Sequence, residues 1–395
     1  MSSTFAVSLL ALSFLQTPPA PAPAPSPAPA PAQEAPKKVA WFKGSLEKAL
    51  EEAKSSNKLV YADFGASWCS WCIRMDREVF SSDEGLSALE PVICVKVDYD
   101  KQRDTCDRYL VGKELPVSIW FNADASVRER IDGYQDQSLF LANASRIKND
   151  LGTINELRRR VASNPADLDG RFELHRKLKS VGDAAGAAEQ RAAIEKADPL
   201  GDSRAMHHFK FDTLMAGIQD YWAKTKSLDL KQIEGLRVFL EGESDPEIMW
   251  DGWMSLSNTY NYFADQAQAR GDAAEAKKNR GIQRQFLARA WRGIPQDDDT
   301  LRGHVTGYAA LFWDLKDELS ADDKSLMLTM TEMTARRLDR EPLVQQCYAR
   351  ALFLNGKTDA AQAACERAIE LAKATSQDPQ NYEKDLELFG GAPAK

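Results

Sequence analysis

The sequence has few histidines and cysteines and no excess of positive charge. It contains four histidines and six cysteines in 395 residues, and its 51 lysines and arginines are outnumbered by 59 aspartates and glutamates. Phosphate binding needs a basic surface, so a formal net charge of −8 argues against a nucleic-acid partner and against non-specific binding to anionic lipid. With 43% hydrophobic and 28% charged residues, the composition is that of a globular protein large enough for two or three domains.

The N-terminal apolar run is too short to cross a membrane as a helix. It extends from Phe5 to Leu15 without a charge, whereas a spanning helix takes about 20 apolar residues. This length is typical of a signal-peptide core, so we expect a signal peptide over residues 1–17 and export to the periplasm or cell envelope. Because no lysine or arginine precedes the run, an uncleaved N-terminal tether and a mis-assigned start codon remain alternatives. Prolines at alternate positions predict an extended linker over residues 18–37.

Residues 38–150 alternate helix and strand patterns. Ser45 is a plausible N-cap for a helix over 45–57. Valine- and isoleucine-rich or largely apolar stretches predict strands over 59–66, 91–100, 117–124 and 127–134, the last two joined by a turn at 124–126. Helices are predicted over 70–90, 102–111 and 136–148. This order implies an α/β domain, with a central mixed sheet flanked by helices.

The remainder of the chain lacks strand patterns. Residues 151–385 are charged, alanine-rich and periodic at helical spacing, and residues 386–395 are expected to be a flexible tail. Three segments share a layout in which a helix ends at glycine and an alanine-rich helix follows a tight turn, namely 171–199, 260–291 and 347–372. This recurrence predicts an all-α solenoid of helical hairpins.

The stretch LVYADFGASWCSWCIRMDREVF holds the only close pair of cysteines, Cys69 and Cys72. A redox cysteine must react as the thiolate, and the start of a helix favours that form. Cys69 stands where a strand ends and a helix begins, so it is the predicted nucleophile, with Cys72 as the resolving thiol. Half of a metal site and an inert thiol pair are the alternatives. A zinc site would need two more ligands, and neither the other cysteines nor the histidines are near in sequence.

This stretch resembles the thioredoxin family over about 110 residues. The pattern is carried by Asp63, Phe64, Ala66, Trp68, Cys69 and Cys72, and by Leu115-Pro116, which matches the cis-proline of the family. The sequence is most similar to the thioredoxin-like subgroup of exported bacterial proteins, in which an aromatic residue such as Trp71 replaces a proline. The resemblance implies that Asp63 is a buried carboxylate that takes a proton from the resolving cysteine, and that Lys96 tempers this carboxylate. The apolar neighbours of Asp63 also favour burial over the alternative of a surface position at the strand end. It also implies a substrate groove formed by Trp68, Trp71, Leu115 and Pro116.

The helical half resembles tetratricopeptide repeats. In its last unit, Ala349 and Leu352 fill the small and large positions of the first helix and Gly356 lies at the turn. The close-packing positions of the second helix are filled by Ala361 and Ala368. The first unit departs from the pattern at His175, where a small residue belongs, and the middle unit keeps less of it. The resemblance implies a surface for docking a protein partner.

Together these features predict an exported thiol-disulfide oxidoreductase. Its substrates would be proteins with thiols or disulfides, and it would need a redox partner that the sequence does not identify. The Cys69–Cys72 couple is itself the redox group, so no bound organic cofactor and no metal are expected. The alternative is a scaffold or adaptor in which the helical repeats bind partners and the thioredoxin-like domain is structural.

Overall fold

The computed structural model describes residues 39–296, 298–375 and 377–390. The predicted signal peptide, the predicted linker and the last residues of the predicted tail lie outside these ranges. The chain forms two compact units. One runs to Glu156 and includes Ser180–Gly182, and the other consists of Leu157–Lys179 and the chain from Asp183 onward. No helix within the described ranges has the length and apolar character needed to cross a membrane.

The first unit is built on a small mixed sheet. Its elements are α1 (Leu46–Ser56), β1 (Val60–Gly65), α2 (Ser70–Glu78), α3 (Asp83–Leu89), β2 (Ile93–Asp98), α4 (Arg103–Arg108), β3 (Val117–Phe121), β4 (Val127–Asp132) and α5 (Gln137–Lys148). The strand order is β2-β1-β3-β4, with β1 parallel to β2 and antiparallel to β3, and β4 antiparallel to β3. The predicted mixed sheet and the four predicted strands are confirmed.

Helix α1 follows directly from its sequence. The Ser45 side chain accepts a hydrogen bond from the backbone N–H of Lys48, which confirms the predicted N-cap. The buried side chains lie at helical spacing on one face: Leu46, Ala49, Leu50 and Ala53. The helix ends at Asn57, which adopts the left-handed conformation with φ 53°.

The prediction of a single helix over 70–90 is wrong. The helix is interrupted between Val79, the C-cap of α2, and Ser82, the N-cap of α3. The Ser82 hydroxyl donates to the carbonyl of Val79 at 2.8 Å and accepts from the backbone N–H of Gly85 at 3.1 Å. Gly85 permits this close turn, since a Cβ there would lie 2.1 Å from the Val79 carbonyl oxygen. A side chain that competes for backbone hydrogen bonds therefore ends α2 and starts α3.

The sheet is covered on both faces. β1 is buried over its first five residues and β3 is buried along its whole length, which makes them the centre of the domain. On one face Phe64 packs among side chains from α1 and neighbouring strands. On the other face Tyr61, Trp120 and Phe140 form part of a second cluster. Burial of both faces holds the end of β1, which leads to the cysteine pair, in a rigid setting.

The described residues after α5 are mostly helical. The helices are α6 (Ile154–Ser163), α7 (Leu168–Ser180), α8 (Ala184–Ala197), α9 (Arg204–Thr225), α10 (Leu230–Glu241), α11 (Pro246–Ala269), α12 (Ala273–Ala290), α13 (Asp298–Asp314), α14 (Ala321–Arg337), α15 (Pro342–Leu354), α16 (Thr358–Ala374) and α17 (Gln380–Leu388). A mostly helical remainder after the α/β domain is therefore confirmed. Its largest apolar cluster includes Trp250, Trp253, Phe286 and Phe312.

The three predicted glycine turns separate consecutive helices. Each glycine has a positive φ of 72° to 82°, a conformation that other residues rarely adopt: Gly182, Gly271 and Gly356. The next residue, Asp183 or Asp272, caps the following helix in the first two turns.

The boundary predicted at residue 386 between the helical region and a flexible tail is wrong. α17 continues to Leu388, and Leu386 and Phe389 are buried. The Phe389 ring stacks on Phe353 with centroids 4.6 Å apart. Apolar packing therefore keeps residues 386–390, which were expected in the tail, within the helical unit.

Candidate active site

Cys69 and Cys72 lie between the end of β1 and the first turn of α2, and they form a disulfide. The sulfur atoms are 2.02 Å apart and the Cα atoms 5.2 Å apart, which confirms that the two-residue spacing brings the pair within bridging distance. The other described cysteines are buried and free, so Cys94 and Cys106 are not bridged.

Cys69 caps helix α2. The backbone N–H of Cys72 donates to Cys69 Sγ at 3.0 Å, and the Cys69 carbonyl accepts from the N–H of Ile73 at 3.1 Å. The N–H groups at the start of a helix carry partial positive charge and favour a negatively charged group placed against them. The Cys69 sulfur is therefore at a position that stabilises a thiolate once the disulfide is opened.

The two sulfur-bearing residues differ in exposure. Cys69 is 5% exposed, whereas Cys72 is only partly buried and lines a cleft. In the disulfide form the residue predicted to resolve the mixed disulfide is thus the more accessible of the two.

Asp63 is a buried carboxylate in the middle of β1. It is 5% exposed, which confirms the burial expected from its apolar neighbours. Burial raises the pKa of Asp63, the Lys96 ammonium lowers it and the nearby Asp76 raises it, and the net result is a pKa raised from 3.8 to about 6. Asp63 can therefore exchange a proton near neutral pH.

Lys96 lies between two carboxylates. Its ammonium is 3.4 Å from Asp63 Oδ2, and it also donates to Asp76 Oδ1. The ammonium faces the ring of Trp41 at 4.7 Å from the centroid and that of Phe80 at 5.7 Å. The predicted proximity of Lys96 to Asp63 is confirmed, and the second carboxylate and the aromatic contacts hold the ammonium in place.

A half-open cleft of about 290 Å³ adjoins these groups. It is lined by Asp63, Gly65, Ala66, Ser67, Cys72, Ile73, Asp76, Lys96, Val97 and Asp98. Cys72 and the buried Asp63 thus line the same cleft.

Two tryptophans near the cysteines are exposed. Trp68 is 53% exposed and its Nε1 donates to Asp100 at 2.9 Å, while Trp71 is 44% exposed. The Trp71 ring packs against Tyr134, with centroids 5.1 Å apart. Large exposed aromatic side chains are frequent at binding surfaces.

The Leu115–Pro116 peptide bond is cis, as predicted. Pro116 directly precedes β3, and the pairing of Phe64 with Val117 places it at the end of the sheet where β1 leads to the cysteines. Pro116 is buried and Leu115 is partly buried.

Sequence reasoning missed two residues of the site. Asp76 lies one helical turn after Cys72, so the i, i+4 spacing on α2 could have placed it on the same face. Gly65 ends β1, and a Cβ there would lie 3.4 Å from Cys72 Sγ. No sequence pattern signals that approach, because it depends on how α2 packs on the sheet.

Within the described ranges, one group of side chains has the geometry of a metal site, and it lies in the helical unit. The ligating atoms of His208, Asp245 and Glu247 are within 4.8 Å of one another. Arginines already occupy both carboxylates: Arg204 Nε donates to Asp245 at 2.8 Å, and Arg176 donates to Glu247 at 2.9 Å. This group is therefore part of a network of ion pairs, in which arginines neutralise the two carboxylates.

Comparison with known proteins places the similarity in the first unit. A family model described as Thioredox_DsbH, a protein of unknown function (DUF255), matches residues 26–116. Thioredoxin H4 of Arabidopsis thaliana is 32% identical over 90 residues, which cover 23% of this chain and 72% of that protein.

Longer proteins share the same region. Spermatogenesis-associated protein 20 of Mus musculus is 32% identical over 96 residues, or 22% of this chain and 12% of that protein. The thiol:disulfide interchange protein DsbD of Pseudomonas fluorescens is 32% identical over 102 residues, or 24% of this chain and 17% of its own length. The chain thus spans less than a fifth of these two relatives. A solved DsbH oxidoreductase is 22% identical with a TM-score of 0.26, over 31% of this chain and 94% of that one.

Proposed function

The chain belongs to the thioredoxin family, and from this premise we propose that it is a thiol-disulfide oxidoreductase that acts on protein substrates through Cys69 and Cys72. One observation carries the proposal: the disulfide caps the first turn of α2 and adjoins a cleft that is also lined by the buried Asp63. A reactive sulfur, a stabilising helix start and a proton acceptor with a pKa of about 6 are thereby brought together.

The proposed reaction begins from the dithiol form. The Cys69 thiolate attacks a substrate disulfide, which forms a bond to one substrate sulfur and releases the other as a thiolate. Cys72 then transfers its proton to the Asp63 carboxylate across the cleft and attacks Cys69 Sγ. This step closes the Cys69–Cys72 disulfide and releases the second substrate thiolate, and the substrate thiolates take up protons from solvent. The reverse sequence oxidises a dithiol.

The proposed substrate surface surrounds the cysteines. We assign Trp68 and Trp71 to it because both rings are exposed, and Leu115 and Pro116 because the cis bond lies at the same end of the sheet. Lys96 has a different role in this proposal, since its charge moderates how readily Asp63 takes a proton.

The wider context is also part of the proposal. The uncharged run Phe5–Leu15 and the proline-rich stretch that follows support export to the periplasm or envelope, with residues 1–17 as signal peptide or tether and 18–37 as linker. We assign the redox domain to 38–150. The helical region, 151–385, is proposed to be a solenoid of tetratricopeptide-like hairpins that docks a protein partner, supported by the three glycine turns. The DsbD relative is named for thiol-disulfide interchange, which supports the proposed redox role. A separate redox partner is also part of the proposal.

An insulin-reduction assay with dithiothreitol as electron donor tests the proposal. Wild type and Cys347→Ala, which removes a buried thiol of the helical unit, should both accelerate insulin precipitation. Cys69→Ser should lose the activity, and Cys72→Ser should accumulate a mixed disulfide at Cys69 that mass spectrometry detects. Equal and negligible rates for wild type and Cys69→Ser would refute the proposal and favour a scaffold.

A further inference from the structure

Trp71, Arg74 and Glu78 form a stripe along α2 that begins between the two cysteines. Spacings of three and four residues place successive side chains on the same face of a helix. The Arg74 guanidinium lies 5.5 Å from the centroid of the Trp71 ring, and its Nε donates to Glu78 Oε2 at 2.8 Å. The stripe therefore connects the exposed ring beside the disulfide to a carboxylate two turns along α2.

Tyr134, in the segment after β4, contacts all three members of this stripe. Its ring centroid is 5.1 Å from that of Trp71 and 4.9 Å from the central carbon of the Arg74 guanidinium. Its hydroxyl donates to Glu78 Oε2 at 2.7 Å. Tyr134 thus packs against the exposed ring directly and also through the ion pair of Arg74 with Glu78.

The backbone beside Tyr134 is anchored to the cis-proline. The N–H of Gly133 donates to the carbonyl of Pro116 at 2.8 Å. Gly133 has a φ of 91°, a conformation that other residues rarely adopt. The start of the segment that carries Tyr134 is therefore fixed at the end of the sheet where the cysteines lie.

Glu78 is the shared acceptor of this group. Arg77 donates to its Oε1 at 2.8 Å, and hydrogen bonds from Arg77, Tyr134 and Arg74 lower the pKa of Glu78 to about 2 against the opposing effect of burial. A hydrogen bond to an ionised acceptor is stronger than one between neutral groups. The Tyr134 hydroxyl is therefore held by a carboxylate that stays charged at neutral pH.

We propose that Tyr134 is a positioning residue, which together with Arg74 and Glu78 holds the Trp71 ring in place before a protein substrate binds. The inference rests on the proposed function, in which Trp71 is part of the substrate surface. Exposed side chains change rotamer rapidly, and the Trp71 side chain is 44% exposed. Ordering one such side chain on binding costs the equivalent of about two- to tenfold in affinity. Contacts that hold the ring in advance remove this cost for a protein substrate, whereas a disulfide too small to contact the ring gains nothing from them.

Reaction rates with a large and a small disulfide test this role. The full-length dithiol protein is mixed with insulin or with hydroxyethyl disulfide and quenched with acid, and the substrate thiols are alkylated and counted by mass. Tyr134→Ala should lower the second-order rate constant with insulin about two- to tenfold and leave that with hydroxyethyl disulfide unchanged. Tyr134→Phe, which keeps the ring and loses the bond to Glu78, should have a smaller effect in the same direction.

The matched control is Tyr221→Ala on α9, because Tyr221 is partly buried like Tyr134 and lies in the helical unit. This variant should react like wild type with both disulfides. An unchanged rate of Tyr134→Ala with insulin would overturn the inference. An equal loss with both disulfides would overturn it too, since that result indicates a general disturbance of the cysteine pair.

A double-mutant cycle shows whether Tyr134 acts through Trp71. Trp71→Ala has no ring to be held, so adding Tyr134→Ala should cause no further loss of rate with insulin. Equal losses from Tyr134→Ala in the wild-type and Trp71→Ala backgrounds would show that Tyr134 acts on the substrate independently of the ring, and the positioning role would be wrong.

The outcomes separate this inference from the function on which it rests. If dithiol wild type reduces insulin and Tyr134→Ala does so equally fast, only the inference fails. If dithiol wild type reduces insulin no faster than Cys69→Ser, the proposed function fails with it.

Discussion

Replacement of Asp63 by asparagine should remove a pH-dependent loss of stability from the first unit. Burial raises the pKa of Asp63 to about 6 in the folded chain, against an ordinary value of 3.8. The folded state therefore binds more protons than the unfolded state between about pH 4 and pH 6, and stability falls as the pH rises through this window. The full shift corresponds to about 3 kcal/mol, at 1.36 kcal/mol for each pKa unit.

The part of this loss that is accessible to experiment lies above pH 5. At pH 5 the unfolded carboxyl is almost fully ionised and the folded one is mostly protonated, so about half of the loss has already occurred. Between pH 5 and pH 8 wild type should lose roughly 1 kcal/mol more than Asp63→Asn. Lys96 keeps Asp76 as a partner in the variant. Any pH-independent cost of burying the asparagine amide lowers the free energy of unfolding equally at every pH and leaves its pH dependence unchanged.

Hydrogen exchange measured by mass spectrometry reports the opening free energy of β1 and β3 in the full-length oxidised protein. These strands are the centre of the unit that contains Asp63. Asp107→Asn, at an exposed position on α4, retains Asp63 and should follow the wild-type slope. If the opening free energies of wild type and Asp63→Asn changed in parallel between pH 5 and pH 8, Asp63 would not titrate with a raised pKa.

Lys96→Met removes the ammonium 3.4 Å from Asp63, so the pKa of Asp63 should rise and the pH profile of insulin reduction should move to higher pH. Asp76→Asn removes a negative charge that raises the pKa of Asp63, so the same profile should move to lower pH; movement in a common direction would contradict this account. Burial raises the pKa of the Cys94 and Cys347 thiols to about 12, so N-ethylmaleimide should label neither in the native oxidised protein at neutral pH. Rapid labelling of either thiol, seen by peptide mass, would disprove that burial.

The local chemistry of the site follows from short sequence patterns. The spacing of Cys69 and Cys72, their position between a strand and a helix, and the cis bond at Pro116 are local or family features, and the structure agrees with each. The burial of Asp63 could be predicted because apolar residues surround it in a strand.

Helix boundaries were predicted less well where side chains compete with the backbone. The break at Ser82 depends on two hydrogen bonds of one hydroxyl, which periodicity does not detect. The late end of α17 depends on Phe389 packing against Phe353, a residue far away in sequence.

The sequence by itself determined the redox pair, its strand-to-helix setting, the mixed sheet and the helical remainder, because these depend on neighbours along the chain and on side-chain periodicity. Only the tertiary structure decided that Lys96 is shared between Asp63 and Asp76, that Cys72 is more exposed than Cys69, and that Gly65 leaves a cleft beside it. Those features depend on how closely α2 approaches β1 and β2. That distance is set by packing between segments and has no counterpart in the spacing of residues along the chain.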